Sequence, residues 1–174
     1  MPDIFYKDGL AMGLLHAMDA DPSIVVLGCG VTDSTGIFGT CLPARAQYSD
    51  RFIETPLSEN MLTGACVGMA LAGLRPVLVH ARMDFLPLTM EHLVNSAAKW
   101  GYMTGHYPPV VVRVIVGRGW GQGPTHSQNL SGMLSLLPGL RVYMPSRPQD
   151  AYYATRHAMM IGGPTIIVEP RRLY

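Results

Sequence analysis

The chain has 174 residues, the length of one ordinary domain, with 48% hydrophobic and only 14% charged residues. That balance excludes an intrinsically disordered chain and leaves apolar surface for a partner to cover. Thirteen Lys and Arg against 12 Asp and Glu give a net charge of +1, spread without the basic patch that nucleic-acid binding needs.

Gly and Pro divide the chain into alternating units, with no internal repeat and no linker. Phe5 to Ala20 places Leu10, Leu14, Ala17 and Met18 on one helical face, and Asp21-Pro22 stops it. Ile24 to Leu27 is a buried strand running into Gly28, and a polar, Gly-containing stretch spans Thr32 to Asp50. Phe52 to Thr55 is a short second strand. Leu62 to Leu74 is a helix of small residues, which permits close approach of another backbone. Pro76 to His80 is the third strand, and Leu88 to Tyr102 a helix with Leu93, Ala97 and Trp100 among its apolar positions. Val110 to Val116 is an apolar strand broken only by Arg113. Leu130 to Leu137 is a short helix, Arg141 to Met144 a strand, Pro148 to Met160 a helix and Thr165 to Val168 the last strand.

Continuous apolar strands indicate a sheet covered on both faces. Their alternation with helices predicts an α/β fold, a three-layer α/β/α sandwich with a mostly parallel sheet. Ligands of such sheets sit beyond the carboxyl ends of the strands. Glu59 follows the second strand, Asp84 and Phe85 the third, and Gly117 to Gln128 the fourth.

No apolar stretch is long enough to span a bilayer, so no membrane partner is expected. The segment Met-Pro-Asp-Ile-Phe-Tyr-Lys lacks the order of a signal peptide. Cys29, Cys41 and Cys66 form no CxxC motif, which reads as a reduced, cytoplasmic chain. The 12 Met residues read as flexible core filler, with a sticky interface as the alternative.

Glu59 has two readings. It complements a helix dipole in the first turn after a Ser58 cap, or it is a partly buried acid suited to proton relay. The segment Gly117 to Gln128 is neither a dinucleotide fingerprint, since position 122 is Gln, nor a Walker A loop. What remains is a glycine-rich loop ending in His126, a solvated side chain or an acid/base contact. No Gly-x-Ser-x-Gly occurs, and the six His residues are scattered without zinc-ligand spacing.

Further strings run in register: Glu54-Thr55-Pro56-Leu57-Ser58-Glu59, then Gly64, Gly68, Ala70 and Gly73-Leu74-Arg75-Pro76. After them come Asp84-Phe85, Asn95-Ser96-Ala97-Ala98-Lys99, His126-Ser127-Gln128, Pro138-Gly139-Leu140 and Asp150-Ala151. In this order they resemble the pyrimidine-binding domain of the beta subunit of the decarboxylating component of 2-oxoacid dehydrogenases. That domain belongs to the transketolase-like superfamily of thiamine diphosphate enzymes. The resemblance runs from about Phe5 to Tyr174, and Gly123-Pro124-Thr125-His126 also looks like transketolase itself.

The resemblance implies that Glu59 hydrogen-bonds a ring nitrogen of the cofactor's aminopyrimidine and so promotes ylid formation. It implies that Phe85 packs on that ring, that Leu57 approaches it, and that His126 stabilises or protonates the bound intermediate. The implied reaction is carbon–carbon cleavage of a 2-oxoacid. The alternatives are a split transketolase moving a two-carbon ketol unit, with His80, Arg82, His106 and Arg118 as contacts for sugar phosphates, and a non-catalytic scaffold or regulatory module.

Three departures from the family pattern shape the expectation. The acidic pair after the first strand is replaced by Leu27-Gly28-Cys29-Gly30; no Gly-Asp-Gly occurs; and residues 1–174 correspond to the pyrimidine-binding domain alone. The diphosphate-binding and C-terminal domains are therefore expected to be absent from this chain. Mg²⁺ and the diphosphate are expected on a separate alpha-like subunit, in a heterotetramer, with no metal ligands here.

Overall fold

The computed structural model of the chain describes residues 4–174; Met1 to Asp3, part of the expected domain and of the segment read against a signal peptide, lie outside the described residues. The elements in order are α1 (Tyr6–Ala20), β1 (Ile24–Gly28), α2 (Leu42–Gln47), β2 (Phe52–Glu54), α3 (Glu59–Leu71) and β3 (Arg75–His80). A 3-10 segment (Met83–Thr89) and a π-helical segment (Glu91–Ala97) lead into α4 (Ala98–Thr104). Then follow β4 (Val111–Val116), α5 (Ser131–Ser135), β5 (Arg141–Tyr143), α6 (Pro148–Met160) and β6 (Thr165–Pro170).

The six strands form one sheet in the order β2-β1-β3-β4-β6-β5, and every adjacent pair is parallel. Side chains alternate between the faces. Val26, Val77, Val79, Val111, Ile115 and Ile167 point to a layer formed with Leu14, Ala17 and Met18 of α1, Ala44 of α2 and Met159 of α6. Leu27, Leu78, Val112, Val114, Ile166 and Val168 point the other way, onto Leu62, Cys66 and Ala70 of α3, Leu93 and Ala97, and Leu134 of α5. The expected three-layer sandwich is the observed architecture, and burial on both faces explains why the strands read as unbroken apolar runs.

Local chemistry sets the boundaries. Asp8 accepts the Phe5 N–H at 3.1 Å and closes the start of α1. At its other end Asp21 accepts from Ser23 N–H at 2.9 Å and pairs with Arg75 Nε at 2.9 Å, which fixes the entries to β1 and β3. The closest helix packing lies between α1 and α6: a Cβ on Gly9 would stand 2.2 Å from the Pro148 carbonyl oxygen, and one on Gly13 2.7 Å from that of Tyr152. The small residues of α3 do not serve such a contact. A Cβ on Gly64 would meet the His92 ring, while Gly68 faces open space.

Three elements differ from expectation. The stretch read as polar loop contains α2, started by Pro43 in its first turn and held against α1 through Ala44. The expected helix from Leu88 to Tyr102 is three segments instead: the end of the 3-10 segment, in which Pro87 offers no backbone donor, then the π-helical segment and α4. Helix α3 begins at Glu59, three residues before Leu62, and the Ser58 hydroxyl makes no capping bond.

Candidate active site

The strand order reverses between β1 and β3: the chain leaves β1 outward to β2 and returns to build the sheet in the other direction. In a parallel sheet the crevice beyond the strand ends at this switch point is where ligands bind. A small pocket of about 90 Å³ opens there. Gly28 and Cys29 at the end of β1, Pro56 to Glu59 and Leu62 at the start of α3, and Leu78 to Arg82 with Phe85 after β3 line it. Gly28 lets the two strands close on its floor, since a Cβ there would stand 2.5 Å from the Val79 carbonyl oxygen. Whole small-molecule ligands occupy clefts of about 300–1,000 Å³, so this pocket has room for no more than one end of such a molecule.

Glu59 is the first residue of α3 and half-buried. Leu57 contributes to the pocket wall while 77% of it remains exposed. Phe85 comes from the 3-10 segment after β3, and the loop after β4 delivers His126 to it: the two rings meet edge to face, 5.3 Å between centroids. Trp120 Nε1–H donates to the His126 carbonyl at 2.7 Å and to that of Gly117 at 3.2 Å. The Gln128 N–H donates to Asp84 Oδ1 at 2.9 Å, and the Arg82 guanidinium lies 3.9 Å over the Trp120 ring. These contacts fold the glycine-rich loop down onto the segment that carries Phe85. The four predicted site residues thus converge: Leu57, Glu59 and Phe85 line one pocket, and His126 packs against Phe85.

Unsatisfied polarity concentrates at the same place. Among the described residues four buried side-chain atoms have no hydrogen-bond partner: Thr55 Oγ1, His80 Nε2, Arg82 Nε and Thr155 Oγ1. His80 and Arg82 line the pocket, and Thr55 precedes its Pro56. Burial drives the His80 imidazole down to about 4, so it is neutral at pH 7. Where the resemblance led to an expected acidic pair, the structure has a different arrangement. Glu54 at the end of β2 accepts the N–H groups of Gly30 and Thr32 and the Thr32 hydroxyl, the last two at 2.9 and 2.8 Å. Desolvation pulls its carboxyl upward, but these donors outweigh it and hold it below the usual carboxylate range.

Sequence reasoning missed the Arg113–Glu169 pair. Arg113 Nε lies 2.5 Å from Glu169 Oε1, with both side chains fully buried. Arg113 Nη2 also donates to Thr40 Oγ1 at 2.8 Å, and Tyr174 Oη to Glu169 Oε2 at 2.6 Å. The pair anchors β4, from which the His126 loop departs. Arg113 interrupting an apolar run was the available signal; its partner 56 residues away was not legible. Of the residues considered for sugar phosphate, His80 and Arg82 line the pocket and Arg118 lines a separate cleft of about 780 Å³ with Trp120, Arg171 and Arg172. His106 is exposed ahead of β4, at the amino ends of the strands and so at the opposite end of the sheet from the pocket. Cys29 is exposed at the pocket, whereas Cys41 and Cys66 are buried and free. No cluster of three or more His, Cys, Asp or Glu poised for a metal occurs, and no helix is long and apolar enough to cross a membrane, among the described residues.

A parallel α/β sandwich with a pocket at its switch point, an acid at a helix start beside it and an aromatic pair next to it has the layout of the doubly wound class. The chain belongs to the transketolase pyrimidine-binding domain family, whose model matches residues 3–174. The beta subunit of acetoin:2,6-dichlorophenolindophenol oxidoreductase from Cupriavidus necator is 34% identical over 169 residues, covering 90% of this chain and 50% of that protein. The 2-oxoisovalerate dehydrogenase subunit beta of Bacillus subtilis is 30% identical, covering 97% of this chain and 53% of its own. A solved split-gene transketolase, described as an inactive beta4 tetramer, shares the fold with a TM-score of 0.77 at 22% identity, over 97% of this chain and 52% of its own. The chain spans about half the length of the curated relatives it matches.

Proposed function

We propose that this chain is one subunit of a split thiamine diphosphate-dependent enzyme that cleaves a carbon–carbon bond of a 2-oxoacid, and that it holds the aminopyrimidine end of the cofactor. The observation that carries the reading is the switch-point pocket, where Glu59, Leu57 and Phe85 surround a space sized for one end of a ligand, with His126 at its edge. The donor set fits such a ring: apolar Leu57, Leu62, Leu78 and Phe85 suit its faces, and a carboxyl group and an unpartnered imidazole suit its polar edge.

Thiamine diphosphate, when bound, supplies an electron sink next to the substrate carbonyl. This chain's residues then have separate tasks. Glu59 holds and moves a proton at a ring nitrogen of the pyrimidine. Phe85 and Leu57 orient the ring and exclude water from it. His126, held by Trp120 through its backbone, presents its imidazole to the substrate side and stabilises or donates a proton there.

The diphosphate and Mg²⁺ belong to an alpha-like partner subunit in a heterotetramer, and the chain is inactive without it. Residues 1–174 form a single pyrimidine-binding domain in this reading. The small pocket, the missing Gly-Asp-Gly and the outward face of α3 support it. That face carries Met61, Ala65, Gly68 and Leu71, all exposed, and continues to Leu57. The assembly is cytoplasmic in this account.

Ketol transfer between sugars is the second reading. It is favoured by the cleft around Arg118, Arg171 and Arg172, whose cations suit a phosphorylated sugar and which Trp120 joins to His126. A product assay with a 2-oxoacid and with a ketose phosphate separates the two.

Glu59→Gln tests the central residue. Loss of its proton transfer lowers turnover of the reconstituted complex by about 10²–10⁴-fold while assembly persists. Wild-type turnover in this variant refutes the role of Glu59, and assembly without any cofactor-dependent turnover in the wild type points to a scaffold.

A further inference from the structure

His80 is the last residue of the central strand β3, paired in register with Val114 of β4. It lies on the face of Leu78, toward α3, in a strand whose neighbouring residues Val77, Leu78 and Val79 are all apolar and buried. The imidazole is 6% exposed, and its Nε2 is shut off from solvent with no donor or acceptor in reach. Buried polar side chains are ordinarily hydrogen-bonded, and an unpaired one is costly. An aliphatic residue would extend the strand without that cost. His80 is instead part of the pocket wall, with Glu59 from α3, Cys29 from the end of β1, and Arg82 and Phe85 from the segment after β3.

We infer that His80 is a second polar contact for the ring that Glu59 engages, its Nε2 hydrogen-bonding a polar edge atom of that ring. The inference rests on the reading of the pocket as the aminopyrimidine site. A neutral imidazole carries one donor and one acceptor nitrogen, and its tautomer follows the partner it is given. An aminopyrimidine presents both kinds of partner along its edge, an exocyclic amino donor beside ring-nitrogen acceptors. His80 therefore accommodates the ring without importing charge into an enclosed space, and it selects for a ring with a polar edge over a hydrocarbon of the same shape. It acts as a positioning residue: it holds the ring where Glu59 meets the ring nitrogen.

The test is calorimetric titration of thiamine diphosphate with Mg²⁺ into the complex of this chain with its diphosphate-binding subunit, in the wild type, His80→Gln and His80→Leu. Gln keeps a nitrogen donor near the position of Nε2, and Leu keeps only the volume. The Cε1–H resonance of His80 in ¹³C-histidine-labelled wild type gives a readout that needs no variant to fold. The expected result is binding weakened about tenfold by Leu and by no more than about threefold by Gln, together with a shift of the His80 resonance on saturation. Equal binding by the Leu variant, or a resonance that does not move, overturns the inference and leaves the reading of the pocket standing. A wild-type complex that takes up no thiamine diphosphate overturns that reading and the inference with it. If the Leu variant does not fold, the wild-type resonance and the Gln variant decide.

Discussion

Replacing Glu169 by Gln leaves the Arg113 guanidinium charged in a fully enclosed site. In the native chain that charge is met by Glu169 through Nε at 2.5 Å and Nη2 at 3.0 Å, with the Thr40 hydroxyl at 2.8 Å as a further acceptor. A neutral amide keeps the shape and one oxygen but removes the opposing charge. Breaking a buried pair in this way costs about 3–5 kcal/mol, most of it the penalty of the stranded ion. For a domain of this length each kcal/mol lowers the melting temperature by about 2–4 °C, so Glu169→Gln melts roughly 6–20 °C below wild type. Arg113→Met strands the carboxylate and loses a similar amount. The double variant, with neither charge, loses less than the sum of the singles by about 1–3 kcal/mol, even though Thr40 and Tyr174 lose partners. Calorimetry or denaturant melts of the four proteins measure this. A Glu169→Gln melting temperature within about 2 °C of wild type, or strictly additive losses, would show that the two buried charges do not depend on each other.

Acid stability reads the burial of His80. Its folded-state pKa of about 4 lies below the ordinary 6.5, so between those values the unfolded chain binds the extra proton. The stability that His80 contributes is present above about pH 6.5 and is lost as the pH falls toward 4, roughly 3 kcal/mol in full. His80→Gln removes that component, and denaturant melts at pH 7.5 and 4.5 show it; parallel losses in both proteins contradict it. Trp120→Phe deletes the indole N–H that holds the His126 and Gly117 carbonyls. Each bond is worth about 0.5–1.5 kcal/mol, so amide exchange across residues 121–127 accelerates by about tenfold while the core melts nearly unchanged. Unchanged exchange contradicts the view that Trp120 holds this loop.

The sheet was legible because its strands are buried on both faces: Val25 to Leu27 and Val110 to Val116 are apolar without alternation, and only a covered parallel sheet needs that. The pocket followed from the same rule, which directs attention to Glu59, Phe85 and the loop ending in His126. What the sequence hides is non-local. The six residues of α2 carry no helical period and form against α1, while the run from Leu88, whose apolar spacing suggests one helix, passes through 3-10 and π geometry before α4. Arg113 reads as an interruption until Glu169 is placed beside it by the pairing of β4 with β6. His80, visible only as one of several cations for a sugar phosphate, proves to be neutral and enclosed. The strand-end rule brings the end of β3 to the crevice, but no spacing shows that the His80 side chain is enclosed there without a partner at Nε2.

The proposed function requires this chain to hold one end of a cofactor whose other end a second chain holds. Calorimetric titration of thiamine diphosphate with Mg²⁺, into this chain alone and into its mixture with a diphosphate-binding subunit, tests it most directly. The chain alone is expected to give negligible heat and the mixture saturable, tight binding. A mixture that demonstrably assembles and takes up no cofactor contradicts it, and Glu59 is then a carboxylate at a helix start and nothing more.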